Sequence, residues 1–216
     1  VSIVDFVRSS HEIECTTKKP CYVVELKRCK GRELFNTVEC CALYRRTLDL
    51  DTMLPGLLGV AKALQFMHTN NFAHVDVSLE NIMYDDDTGN MVLIDFGLAR
   101  ETPGRLDVKC GKHNYRPPEY ISSTNLMDLR LRDSWCFGVC LFMLVFARMV
   151  APAFVDYINT DDQTTETFVD RYRCEVNHSK SNVIFRCIDR LLVKDPKRRA
   201  DMAEVIDILS SHTHSQ

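Results

Sequence analysis

The apolar positions change period several times along the chain. From Asp51 to His68, residues Leu54, Leu57, Leu58, Ala61, Leu64 and Met67 recur at spacings of three and four, which predicts one buried face of a helix. Pro55 fits the first turn of that helix. Val183 to Leu192 has the same period, and Met202 to Leu209 predicts a closing helix, with His212 to Gln216 as a frayed tail. Asp133 to Val150 is apolar nearly all round, the mark of a central buried helix. The short β-branched runs Val1 to Val7 and Cys21 to Leu26 predict a hairpin around the polar stretch Arg8 to Pro20. Ile82-Met83-Tyr84 and Met91-Val92-Leu93-Ile94 predict two more strands. The turn Asp85-Asp86-Asp87-Thr88-Gly89-Asn90 between them looks like a metal cluster but reads as an exposed hairpin turn. Polar Asp156 to Thr167 predicts a loop with part of a short helix.

Composition bounds this picture. With 216 residues, 45% of them apolar, the chain suits one globular domain with a sizeable core. A net charge of −3 implies no general surface for nucleic acid or anionic membrane. The longest apolar run, Cys136 to Ala147, has 12 residues and is too short to span a bilayer. No basic start followed by an apolar core marks a signal peptide. The ten cysteines match no zinc spacing, and several lie in apolar runs, so they read as free buried thiols in a reducing compartment. A complete translated chain normally starts with Met, so Val1 leads to the expectation of a fragment or a processed product.

The chemistry concentrates in His74-Val75-Asp76-Val77-Ser78-Leu79-Glu80-Asn81 and Ile94-Asp95-Phe96-Gly97. A carboxylate is followed five residues on by an amide, then by a second carboxylate at an apolar strand end. This set equips a site for phosphoryl transfer from a metal-bound nucleotide. Asp76 would accept the proton of an attacking hydroxyl, and Asn81 and Asp95 would offer oxygen ligands to Mg²⁺. The two segments stand 19 residues apart (76 to 95), with Pro117-Pro118-Glu119 and Asp133-x-Trp135-x-x-Gly138 downstream. Together they resemble the catalytic loop, Asp-Phe-Gly and following motifs of the protein kinase family.

The resemblance runs from about Val1 to about Leu209. It implies an α+β, mainly α fold: residues 1–26 as a remnant of the kinase small lobe (two strands and hinge), 27–209 as the large lobe, and 210–216 as a tail. It implies that ATP and Mg²⁺ are bound, with Val24 as gatekeeper and Glu25 to Lys27 as the hinge that holds adenine. Met83 would pack under the base. Glu33, in the stretch Gly31 to Phe35 that opens the next helix in the family, either contacts ribose or is an exposed helix-start glutamate. Asp133 would be a buried acid bonded to the catalytic-loop backbone, and Arg199 would pair with Glu119.

The sequence also departs from the family. It contains no Gly-x-Gly-x-x-Gly, no strand lysine for the phosphates and no helix glutamate to pair with it. Val75 replaces an arginine that a phosphorylated activation loop normally engages. Arg105 to Cys110 offers no Ser, Thr or Tyr, which fits a loop that needs no phosphorylation for order. Pro117 replaces the usual alanine. Ser78 stands where Ser/Thr kinases keep a lysine, and Lys112 stands where they keep a threonine. Either hydroxyl and ammonium have changed places, so that Lys112 holds Asp76 and the γ-phosphate, or Lys112 is a solvated loop lysine in a weakened enzyme.

Two functions are implied. One is a Ser/Thr-type protein kinase that transfers the ATP γ-phosphate to protein hydroxyls, of which these 216 residues would be a fragment inactive by itself. Asp76, Ser78 and Lys112 would be its catalytic residues. The other is a truncated kinase mimic or pseudokinase acting as a binding or inhibitory module. In both, the partners are ATP and protein, without nucleic acid or membrane, and the location is intracellular and cytoplasmic.

Overall fold

The computed structural model describes residues 3–5, 25–26, 28–44, 46, 48–104, 110–120, 127–146 and 182–213. The chain divides into two units, Val1–Lys30 and Gly31–Gln216. In the first, β1 (Ile3–Asp5) pairs antiparallel with β2 (Glu25–Leu26), Ile3 opposite Leu26, as the two β-branched runs predict. The predicted loops at 8–20 and 156–167 lie outside the described residues.

The second unit opens with β3 (Arg32–Glu33), which runs directly into α1 (Leu34–Tyr44). The long helix α2 (Leu50–Thr69) follows, then β4 (Phe72–Ala73), the hairpin β5 (Ile82–Tyr84) and β6 (Met91–Leu93), and β7 (Arg100–Glu101). Strands β3, β5 and β6 form one antiparallel sheet in that order, with Glu33 opposite Met83 and Ile82 opposite Leu93; β4 pairs with β7. Helices α3 (Leu129–Phe146), α4 (Asn182–Leu191) and α5 (Met202–Thr213) complete the described elements.

Helix α2 buries Met53, Leu54, Leu57, Val60, Ala61, Leu64 and His68, chiefly against α5 and β6; of the predicted stripe Leu54, Leu57, Ala61 and Leu64 are buried, while Leu58 and Met67 are only half-buried. Because α2 starts at Leu50, Pro55 is its sixth residue and lies in the second turn rather than the first. With no N–H there, the Asp51 carbonyl lacks its helical partner. The helix stops where Asn71 turns left-handed at φ 61° and Asn70 folds its amide onto Phe66 O at 2.7 Å.

Helix α3 is the core. Every residue from Arg132 to Leu144 is buried, and Gly138 lets Leu191 and Leu192 pack on its backbone. A Cβ at Gly138 would meet Leu191 Cβ at 2.7 Å, inside contact distance. The helix begins one turn before Asp133, because the Asp128 carboxylate accepts the Arg130 N–H at 3.0 Å and caps it. Asp201 caps α5 in the same way through the Glu204 N–H at 2.9 Å, and that helix continues to Thr213, beyond the predicted end at Leu209. The Asp85 to Asn90 segment is the predicted hairpin turn, closed by Asp85 N–H on Asn90 O at 3.0 Å. Among the described residues no helix is long and apolar enough to cross a membrane.

Candidate active site

The catalytic loop is anchored from below by Asp133, which has no solvent exposure. Its two oxygens accept the backbone N–H groups of His74 at 2.7 Å and Val75 at 2.8 Å, and His68 Nε2 lies 2.9 Å from Oδ2. These bonds hold Val75 at φ 71°, a left-handed conformation that is costly for a β-branched residue. At this turn Asp76 keeps only partial exposure while Val75 packs inward with Ala73, Tyr120 and Leu129.

His74, fully buried, links this loop to the strand end that carries Asp95. Its Nδ1 accepts the Asp76 N–H at 3.3 Å, which leaves Nε2 to donate to Ile94 O at 3.0 Å and so fixes the tautomer. Its ring meets the edge of Phe96 at a centroid distance of 5.1 Å. Asn81 completes the link: its backbone carbonyl accepts the Ile94 N–H at 2.9 Å, and its Nδ2 donates to Asp76 O and Asp76 Oδ2, both at 2.8 Å.

With Nδ2 committed to Asp76, the amide oxygen of Asn81 is the atom left for a cation. Asp95 is exposed at φ 59°, with Oδ1 accepting the Gly97 N–H at 3.1 Å and a second oxygen available. Two oxygen donors, one anionic, fit Mg²⁺ held mainly by phosphates and water rather than by a closed protein cage. Among the described residues no group of three or more His, Cys, Asp or Glu is placed to hold a metal ion.

Lys112 reaches into the same space. Its Nζ donates to Ser78 Oγ at 2.9 Å and to Asp76 Oδ2 at 3.2 Å. Ser78 is fully buried, and the side chains of Asp76 and Lys112 are 14% and 34% exposed, so this ion pair is only partly screened by water. The structure therefore brings together Asp76, Ser78, Asn81 and Lys112.

The other expected site residues fall differently. Glu33 is not in the helix start but in β3, exposed and paired with Met83, because the helix begins only at Leu34. Met83 is half-buried in the middle of β5. Val24 and Lys27 lie outside the described residues, and Glu25 belongs to β2 in the other unit.

Below Lys112 the activation segment is tied down by groups that sequence reasoning missed. The buried Tyr115 hydroxyl donates to Glu80 Oε2 at 2.9 Å and accepts the Leu79 N–H at 3.2 Å. Burial raises its pKa far above the usual phenol range, so it stays a donor. Arg132, 2% exposed on α3, donates through Nη2 to Cys110 O at 2.9 Å. Arg116 donates to Gly111 O at 2.8 Å. A charge just before the predicted apolar helix was the available signal for Arg132; Tyr115 offered none. The expected Arg199–Glu119 pair is present and bidentate, at 2.6 and 2.9 Å, with the guanidinium also over the Trp135 ring.

Comparison with known proteins agrees with this geometry. The family model described as "Protein kinase domain" matches residues 2–208. The chain is similar to a maternal embryonic leucine zipper kinase of Danio rerio, 28% identical over 204 residues, which is 93% of this chain and 28% of that protein. It is also similar to a human SNF-related serine/threonine-protein kinase, 31% identical over 197 residues, 90% of this chain and 24% of that protein. The CBL-interacting serine/threonine-protein kinase 7 of Arabidopsis thaliana is 36% identical over 139 residues, 62% of this chain and 30% of that protein. The chain thus spans about a quarter of the length of the curated relatives it matches. With the loop, the anchoring acid and the Arg199–Glu119 pair in place, and the family model matched over nearly the whole length, the chain belongs to the eukaryotic protein kinase family.

Proposed function

We propose that this chain supplies the large-lobe catalytic machinery of a Ser/Thr-type protein kinase, which moves the γ-phosphate of ATP to a protein hydroxyl. The observation that carries the proposal is the Lys112 ammonium bonded to both Asp76 Oδ2 and Ser78 Oγ. Asp76, steadied by Asn81 and Lys112, orients the attacking hydroxyl and accepts its proton. Lys112 holds Asp76 beside the reacting centre and offers positive charge to the γ-phosphate oxygens, the work of the lysine that Ser78 replaces. Asn81 and Asp95 would hold Mg²⁺, which when bound offsets the charge of the phosphates. By the resemblance, Met83 would pack under the adenine and Glu33 would contact the ribose.

The 216 residues contain no glycine-rich loop and no strand lysine, so transfer at a kinase's rate needs a phosphate clamp from outside them. The second reading is a pseudokinase or kinase mimic that binds a partner, supported by Ser78 at the position of the family's catalytic-loop lysine.

The test is a pair of variants in a protein that carries this chain within a complete kinase domain. Asp76→Asn and Asp95→Asn should each abolish peptide phosphorylation. Only Asp95→Asn should weaken Mg-ATP binding, measured by titration calorimetry. Equal nucleotide affinity in wild type and Asp95→Asn would contradict the assigned roles. Absence of any transfer in the parent protein would favour the binding module.

A further inference from the structure

Arg132 is the anomaly of the core. On α3 it shares a buried stretch with Leu129, Trp135, Cys136, Phe137 and Val139, yet it carries a guanidinium at 2% exposure. Only Nη2 is bonded, to Cys110 O; Nε and Nη1 have no hydrogen-bond partner among the described residues. The head lies over the Tyr120 ring at 4.7 Å from its centroid, with the buried Tyr120 hydroxyl close by. A buried cation with so few hydrogen bonds among the described residues is expensive, and a methionine would fill the same volume more cheaply. What methionine lacks is the bond to Cys110 O and a fixed charge at that spot.

That spot adjoins the site. Gly111 is left-handed at φ 71°, and a Cβ there would collide with Arg132 Nη2 while lying 3.1 Å from Val75 O and 3.4 Å from Asp76 Oδ1. The guanidinium head therefore sits under the turn Cys110–Gly111, beside the catalytic loop. The two carbonyls of this turn are each held by an arginine, Cys110 O by Arg132 and Gly111 O by Arg116. The next residue is Lys112.

We infer that Arg132 is a positioning residue: from the core helix it pins the Cys110–Gly111 turn, and so sets Lys112 on Asp76 and Ser78 without a phosphate group on the activation segment. Its catalytic meaning rests on the function proposed above, but its test does not require phosphoryl transfer.

The experiment uses the 216-residue chain as wild type, Arg132→Met and Arg132→Lys. Each is pulsed with iodoacetamide or an amine-acylating reagent, and labelling is read peptide by peptide by mass spectrometry. Exposed Cys40 and Lys62 serve as internal references. In Arg132→Met, Cys110 alkylation and Lys112 acylation should rise on the order of fivefold or more relative to those references, as a locally opened turn requires. Buried Cys136 and Cys187 should stay protected, and the melting temperature should hold or rise. Arg132→Lys, which keeps the charge but not the fork, should fall between. If Cys110 and Lys112 label at wild-type rates in Arg132→Met, the inference is wrong. If Cys136 and Cys187 open together with Cys110 in both variants, Arg132 supports the core alone, which also overturns it. If the labelling changes as expected but Lys112→Ala leaves turnover untouched, the positioning stands and the catalytic reading of Lys112 falls.

Discussion

Lys112 and Ser78 stand 2.9 Å apart, Nζ to Oγ, although 34 positions separate them in the chain. In a protein carrying this chain within an active kinase domain, Lys112→Ala should lower kcat on the order of tenfold or more, with a much smaller rise in KM, because the ammonium acts on charge that grows toward the transition state. The exchange variant Ser78→Lys with Lys112→Thr should restore much of the loss. Steady-state kinetics on a peptide substrate checks both, and an unchanged kcat in Lys112→Ala would reduce Lys112 to a loop residue.

The 216-residue chain by itself should show negligible kinase activity. Positioning and charge neutralisation supply nearly all of the catalysis in this chemistry, and the chain contains neither glycine-rich loop nor strand lysine. Radiolabelled ATP with a generic peptide gives the readout; sustained, enzyme-proportional phosphorylation of the peptide would sink this expectation.

The Arg199–Glu119 pair should be costly to break from one side. The Arg199 side chain has no exposure and that of Glu119 has 16%. Glu119→Ala strands a buried guanidinium, and losses of about 3–5 kcal/mol are usual in that situation. Arg199→Met should cost less than Glu119→Ala, since it removes the buried charge along with the bonds. Urea unfolding of the three proteins ranks them, and equal midpoints for wild type and Glu119→Ala would refute the assignment.

Stability should fall on the alkaline side. Burial pushes the thiols of Cys136 and Cys187 each up to about 12 from an ordinary 9.0. Between those values the native state keeps both protons and the unfolded chain releases them, so stability is full below pH 9.0 and declines as pH climbs toward 12. Each thiol contributes a slope of about 1.4 kcal/mol per pH unit inside that window. Denaturant midpoints across the window measure the slope, and Cys136→Ala with Cys187→Ala should reduce it, while the Cys140 thiol and the Tyr115 and Tyr120 phenols, also raised by burial, keep the remainder.

Local physics was largely legible in the sequence. A stripe at three and four residues defines a face by helical geometry alone, so most of the buried side of α2 and the existence of α4 and α5 followed from residue order. The same holds for the turn at Asp85 to Asn90 and for the strands around it. Boundaries shifted where a cap intervened: Asp128 and its carboxylate start α3 a turn early. The composition of the loop from His74 to Asn81 named the chemical groups, and resemblance to a known family paired Arg199 with Glu119 and Asp133 with the loop backbone.

What residue order left open is how distant groups meet. Periodicity describes one element at a time, whereas a hydrogen bond across 34 or 80 positions depends on the whole chain path. Only the tertiary structure put Lys112 on Ser78 and Asp76, chose the tautomer of His74 by giving it Ile94 O on one side and the Asp76 N–H on the other, and bent Val75 left-handed over the carboxylate of Asp133. It also moved Glu33 from a helix start into a strand, because β5 offered backbone partners there. Arg132 is the sharpest case. Along the sequence it is one charge before an apolar helix, and only the packing of α3 beneath the Cys110–Gly111 turn aims its guanidinium at the carbonyl that leads into Lys112.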